Sequence, residues 1–177
     1  MPLVSRRTLL VGAGLVLTGC ATRPSVPALA NPQPITLVDA FQGETVGRGV
    51  FSVPIAGVRR EFTANLVGTL DGDVFTVVED FFFADGETQR LTWVFTRTGS
   101  ASWDGVREDT VGKADVKELG TKVRLSYTAD VESRGETTRL AFSDVIYRRP
   151  DGRVINEAIV SRFGFPIGTV RFELVGN

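Results

Sequence analysis

Residues 122 to 131 read Lys122-Val-Arg-Leu-Ser-Tyr-Thr-Ala-Asp-Val131. Val123, Leu125, Tyr127, Ala129 and Val131 share one parity, while Lys122, Arg124, Ser126, Thr128 and Asp130 share the other. Successive side chains of an extended chain point to opposite faces, so this stretch reads as a strand with one face buried and one wet. Working outward in both directions, the same period recurs in short runs broken by turn signals at intervals of about ten residues. It predicts further strands over Gly47 to Val53, Arg60 to Thr69, Val74 to Phe83, Gln89 to Thr96, Ser100 to Val106, Thr110 to Glu118, Arg139 to Arg148, Val154 to Phe163 and Val170 to Val175. Asp71-Gly72, Asp85-Gly86, Arg134-Gly135 and Asp151-Gly152 each put a glycine where a tight hairpin needs positive φ.

About ten strands joined by short turns must pair antiparallel, and a sheet of that length hides its edges most economically by curling on itself. The expected fold over residues 35–177 is therefore all-β: a single up-and-down antiparallel β-barrel of the lipocalin-like or calycin-like kind. A half-open barrel or two-sheet sandwich fits the same pattern. Helix is confined to a short segment from Ile35 to Phe41 ahead of the first strand.

The N-terminus has a different character. Residues 1–19 carry Arg6 and Arg7, an uncharged apolar run from Leu9 to Thr18, and then small residues, the three-part plan of a secretory signal peptide. The run is well short of the ~20 residues that cross a bilayer as a helix. Leu17-Thr18-Gly19-Cys20 resembles a bacterial lipobox, which implies cleavage between Gly19 and Cys20 and acylation of Cys20, the single cysteine of the chain. Acyl chains bury ~0.8 kcal/mol per methylene, so such a cysteine is a membrane tether. Ser5-Arg6-Arg7-Thr8-Leu9-Leu10 resembles a twin-arginine export signal, and an ordinary basic signal end reads the same way. Ala21 stands where an aspartate would signal inner-membrane retention, so the expected location is a lipid-anchored, periplasm-facing position in the cell envelope, at the outer membrane rather than the inner. Residues 20–34 hold four of the eight prolines and read as an extended tether, whose residues 22–34 reach about 40 Å at ~3.1 Å per residue.

Composition excludes several chemistries. The 177 residues include no histidine, which removes imidazole bases, Ser-His-Asp triads and His-containing metal sites. One cysteine leaves no internal disulfide. Twenty basic against 21 acidic side chains give no broad positive field for nucleic acid. The Asp71-Gly72-Asp73 segment lacks an EF-hand's ligand series, and no glycine-rich loop precedes a helix, so no metal, cofactor or phosphate site is expected. The adjacent acids Glu79-Asp80 and Glu108-Asp109 point to opposite faces of any strand and read as turn and rim acids, and no catalytic residue is assigned.

The strand from Val74 to Phe83 carries large apolar groups on both parities, Val77-Val78 and Phe81-Phe82-Phe83, and reads as covered on both sides. With Phe81 and Phe83 inward, Glu79 turns inward too, and a buried carboxylate needs a cation or a proton. Arg90, across the Asp85-Gly86 turn, is the expected partner, either as a register-fixing ion pair or as part of a pocket. Glu79, Arg90 and Trp93 are the candidate ligand-binding residues.

A family resemblance covers most of the domain. Phe41-Gln42-Gly43 followed by Gly47 and Gly49, then Phe62, Asp71-Gly72, Glu79-Asp80-Phe81-Phe82-Phe83 with Asp85-Gly86, Arg90 and Trp93, and above all the run Trp103-Asp104-Gly105-Val106-Arg107-Glu108-Asp109-Thr110-Val111-Gly112-Lys113-Ala114, resemble the DUF3833 family of proteobacterial lipoproteins of unknown function. Two places depart from it: Ser143-Asp144-Val145-Ile146, where the family has paired acids followed by Trp-Met, and Gly120-Thr121, where Gly-Asn is usual. The resemblance implies a lipoprotein and a β fold and supplies no activity. Three roles follow from the residues: a tethered barrel that binds a lipid or other hydrophobic molecule, an accessory lipoprotein acting through a protein partner, or an enzyme that works without histidine. The first is the leading expectation.

Overall fold

In the computed structural model, which describes Asn31 and residues 33–176, the alternating segment around Tyr127 is a strand with Val123, Leu125 and Ala129 buried. It is the seventh of ten: β1 (Gly43–Val53), β2 (Val58–Asp71), β3 (Val74–Phe83), β4 (Thr88–Gly99), β5 (Ser102–Val106), β6 (Ala114–Glu118), β7 (Val123–Ser133), β8 (Glu136–Arg148), β9 (Val154–Arg162) and β10 (Phe165–Gly176). Each strand pairs antiparallel with its sequence neighbours, and β1 pairs with β10 from Thr45 opposite Gly176 to Ser52 opposite Thr169. The sheet is thus a closed barrel, which decides against the half-open and sandwich alternatives. Glycines 72, 86, 135 and 152 adopt the positive φ expected of their turns.

Parity holds around the wall. Phe75, Val77 and Glu79 of β3, Leu91, Trp93 and Phe95 of β4, and Leu140, Phe142, Asp144 and Ile146 of β8 are buried inside. Ion pairs sit outside, among them Arg90–Asp80, Lys113–Asp104, Arg139–Asp130 and Arg153–Glu173. This polar exterior around an apolar interior reverses the alternation of a membrane-spanning barrel. β3 is consequently covered on one side only: Phe82 faces outward and is 45% exposed, because a barrel wall has no second layer behind it.

The two ends of the barrel differ. At the end where β2 meets β3, a five-residue helix, α1 (Leu37–Phe41), lies across the opening and buries Leu37, Ala40 and Phe41. Thr36 caps it, accepting from the Asp39 N–H at 3.0 Å while Asp39 accepts from the Thr36 N–H at 3.1 Å. Glu118 Oε1 accepts from both the Leu37 N–H and the Trp103 indole N–H, at 2.9 and 3.0 Å, and so fastens the helix to the floor. Phe75, Phe95 and Trp103 fill the space above it.

The other end, where β1 turns into β2 and β9 into β10, carries no such plug among the described residues. Ile55, Phe163 and Phe165 project there, 91, 85 and 73% exposed. Here the expected strand from Thr110 begins only at Ala114. The Thr110 hydroxyl accepts from the Arg107 N–H and donates to the Arg107 carbonyl, holding residues 107–110 in a tight turn. The segment still closes the wall, since Val111 N–H donates to Thr128 O and Asp130 N–H to Asp109 O, each at 2.8 Å. The last strand starts earlier than its alternation suggested, at Phe165, with a register shift between Pro166 and Gly168.

Candidate functional site

Midway along the barrel axis the aromatic filling stops. A chamber of about 100 Å³ lies among Val77, Glu79, Trp93, Arg107, Tyr127, Phe142, Asp144 and Asn156. Phe62, Phe81, Tyr127, Phe142 and Val170 form its upper wall and also line a vestibule of about 230 Å³ that continues toward the unplugged end past Phe51, Val58, Leu91 and Val131. Both spaces are largely apolar; the chamber adds the polar side chains of Glu79, Arg107, Asp144 and Asn156, and the vestibule those of Arg60, Gln89, Asp109 and Glu132.

The polar groups come from opposite walls. Glu79 is inward on β3 because it shares parity with Val77 and Phe81. Asp144 shares parity with Phe142 and Ile146 on β8, and Asn156 with Val154 and Ala158 on β9. Glu79 is 8% and Asp144 4% exposed. Burial lifts Glu79 from 4.5 to about 7; Arg107 opposes the rise, and Asp109 and Asp144 add to it. Burial likewise lifts Asp144 from 3.8 to about 7, against a hydrogen bond from Asn156 and the charge of Arg107.

The cation beside Glu79 is Arg107 and not Arg90. In the β3–β4 register Asp80 stands opposite Arg90 and Glu79 opposite Leu91, so Arg90 shares the outer face with Asp80. It donates to that carboxylate from Nε and Nη2 at 2.6 and 2.8 Å and its side chain is 69% exposed. Arg90 is therefore outside the chamber, a correction to the expectation that paired it with Glu79. Arg107 follows β5, and its side chain is 9% exposed. It forms a fork with Asp109 at 2.7 and 2.9 Å, reaches within 3.6 Å of Glu79 Oε2, and lies 4.7 Å over the Trp93 ring and 5.3 Å over Tyr127. Glu108 points away and accepts from the Thr92 N–H at 2.7 Å, so the adjacent acids 108 and 109 do serve different faces.

Trp93 lies in the chamber wall, 4% exposed, stacked on Phe95 at 5.1 Å and edge-on to Tyr127 at 5.1 Å. Gly19 and Cys20 lie outside the described residues. The sequence reading missed Arg107, Asp109, Tyr127, Asp144 and Asn156 as site residues. Asp144 had a readable signal, an acid on the parity of Leu140, Phe142 and Ile146. Arg107 stood in the run Trp103–Ala114 that carries the family resemblance but had no periodic signal, because a turn residue has no period to betray its direction.

Across the mouth runs an ion-pair latch. Arg60 of β2 donates to Asp85 at 3.0 and 3.1 Å, to Glu87 at 2.8 Å and to the Ser133 hydroxyl at 2.9 Å, and lies 4.0 Å over the Phe83 ring. Arg134 of the β7–β8 turn donates to the same Asp85 at 2.9 Å. The arginine hydrogen bonds hold the Asp85 carboxyl well below the usual range. The latch therefore ties turns from two sides of the barrel together beside the vestibule.

Thr45 Oγ1, Glu79 Oε2, Asp144 Oδ1 and Asn156 Oδ1 are the buried side-chain polar atoms without a hydrogen-bond partner among the described residues. All but Thr45 belong to chamber-lining residues. Buried polar atoms are normally satisfied, and leaving one unpaired costs ~1–3 kcal/mol, so their concentration around one void marks a place built for something else to occupy. A family described as a protein of unknown function, DUF3833, matches residues 14–175. No curated protein matches the chain.

Proposed function

We propose, for a chain that belongs to the DUF3833 family and takes from it no assigned activity, that the barrel is a binding vessel for a small amphipathic molecule, held at the membrane by an acylated Cys20. The observation that carries the binding reading is the pair of connected, largely apolar spaces: a vestibule of about 230 Å³ leading into a chamber of about 100 Å³ whose lining residues Glu79, Asp144 and Asn156 carry unsatisfied buried acceptors. Ligand sites are mostly apolar with a few placed polar groups, and this one has that composition. The lower half of the barrel is filled by Phe75, Phe95 and Trp103, so the ligand is short and no long acyl chain can be swallowed whole. Exposed Ile55, Phe163 and Phe165 at the mouth suit an apolar ligand arriving from a lipid surface. The role is binding and not catalysis.

The envelope part of the reading rests on Leu17-Thr18-Gly19-Cys20 and the apolar run before it; the outer membrane is the favoured site because Ala21 follows the cysteine. The test is native mass spectrometry with organic extraction on protein exported to the periplasm of a bacterial host and purified without detergent. A stoichiometric bound small molecule supports the vessel. A clean apo mass that persists after incubation with envelope lipids counts against it. One observation favours the second reading, an accessory lipoprotein with a protein partner: a groove of about 700 Å³ on the outer wall among Arg48, Val50, Thr63, Phe82, Arg171 and Glu173. Crosslinking in envelope preparations, with and without Phe82→Glu, tests that alternative.

A further inference from the structure

The chemistry of the chamber restricts what its occupant can be. Its three unsatisfied atoms, Glu79 Oε2, Asp144 Oδ1 and Asn156 Oδ1, are all acceptors once the two carboxyls are ionised. Asn156 has committed its amide N–H to Asp144 Oδ2 at 2.9 Å, which is what leaves its oxygen free. The charged and titratable residues lining the chamber are Glu79 from β3, Asp144 from β8, Tyr127 from β7 and Arg107 from the turn after β5, while Asp109 of the same turn, Arg60 of β2 and Glu132 of β7 line the vestibule above it. Arg107 is the one cation among the described residues lining the chamber, and it is already shared between Asp109, through two hydrogen bonds, and Glu79 at 3.6 Å; Arg60, which lines the vestibule, is held by Asp85 and Glu87. An anionic head would therefore meet Glu79 and Asp144 with no free cation to offset them, whereas a cationic donor would meet acceptors and offset their charge.

We propose that the chamber takes the head of a small primary ammonium, with the short apolar body of the ligand lying up the vestibule against Phe81, Phe142 and Val170. This rests on the vessel reading above and specifies its ligand class. A primary ammonium offers three N–H donors, and unpartnered acceptors belong to chamber-lining residues on opposite walls of the barrel. A bare divalent cation is a poorer match, since no group of three or more acidic side chains that could hold one occurs among the described residues. Water could fill the void but would not offset the charge that Glu79 and Asp144 acquire as they ionise. The same two carboxyls titrate near neutrality, so the occupied chamber becomes more favourable as pH rises.

The test is titration of the purified protein, read by the fluorescence of chamber-lining Trp93, with three probes of one chain length: n-hexylammonium, hexan-1-ol and hexanoate. At pH 8 the ammonium is expected to bind at least about tenfold more tightly than the other two, and to weaken about tenfold at pH 5 as Glu79 and Asp144 take up protons. Glu79→Gln and Asp144→Asn should each weaken it by about tenfold with the far-ultraviolet circular dichroism unchanged. The wild-type pH dependence stands without the variants should either fail to fold. Hexanol or hexanoate binding as tightly as the ammonium, or an ammonium affinity equal at pH 5 and pH 8, overturns the ammonium assignment and leaves the vessel intact. No response to any of the three, together with a clean apo mass, overturns both.

Discussion

Glu79 and Asp144 face one void from β3 and β8, and each gives up water for a site where its partner is imperfect. A carboxyl whose folded value is raised contributes stability that is complete below its unfolded value and lost as pH rises through the folded one. With both raised to about 7, the empty barrel should melt at a higher temperature at pH 5 than at pH 8. Each shift corresponds to on the order of 3 kcal/mol in isolation, and coupling makes the pair less than additive. Thermal melts across pH 5 to 8 check this. Asp144→Asn should flatten the curve and raise the melting temperature at pH 8. Carboxyls held low by arginines, such as Asp80 and Asp130, act only below about pH 4 and leave that window clear. Removing the cation has the opposite sign: Arg107→Met strands Asp109 and Glu79, and should cost about 3–5 kcal/mol at pH 8, part of it recovered at pH 5. At this scale the inward turn of Glu79 was legible from its parity with Phe81. Its partner was not, because the choice between Arg90 and Arg107 depends on where a turn residue falls in three dimensions.

The elements that close the barrel are the short ones. α1 seats only because β2 carries Gly68 beneath it: a Cβ there would come within 1.9 Å of the Phe41 carbonyl oxygen. That atom is backbone and cannot rotate away. Gly68→Ala should therefore lift the plug and destabilise the fold by about 2–3 kcal/mol. The readout is the fluorescence of Trp103, which is fully buried and shares Glu118 with the plug. At the open end the Asp85 latch joins Arg60 to Arg134, and its exposed bridges are sensitive to salt. Asp85→Ala should speed association and dissociation of the proposed ammonium ligand by stopped-flow fluorescence with little change in Kd. High salt should produce the same effect in the wild type and none in the variant. Strands were the most legible elements, since alternation carries their direction as well as their existence. The late start of β6 was not legible: a Thr110–Arg107 turn reads as continued alternation until its hydrogen bonds are seen.

At the scale of the whole molecule, the proposed anchor and the proposed vessel are separable. Cys20→Ser should abolish metabolic labelling with palmitate and move the protein from the membrane to the soluble fraction of a bacterial host. The purified variant should keep the melting temperature of the barrel, since every strand begins after residue 42. The sequence by itself determined the all-β class, the turn positions, the short leading helix and the inward direction of Glu79, because a period of two and the φ demands of glycine turns act within a few residues. Closure of β1 on β10, the plug under Gly68, the latch across the mouth and the meeting of Glu79, Arg107, Asp144 and Asn156 were decided only by the tertiary structure. These join residues far apart in the chain, and their contacts depend on strand register and barrel curvature, which local alternation does not encode.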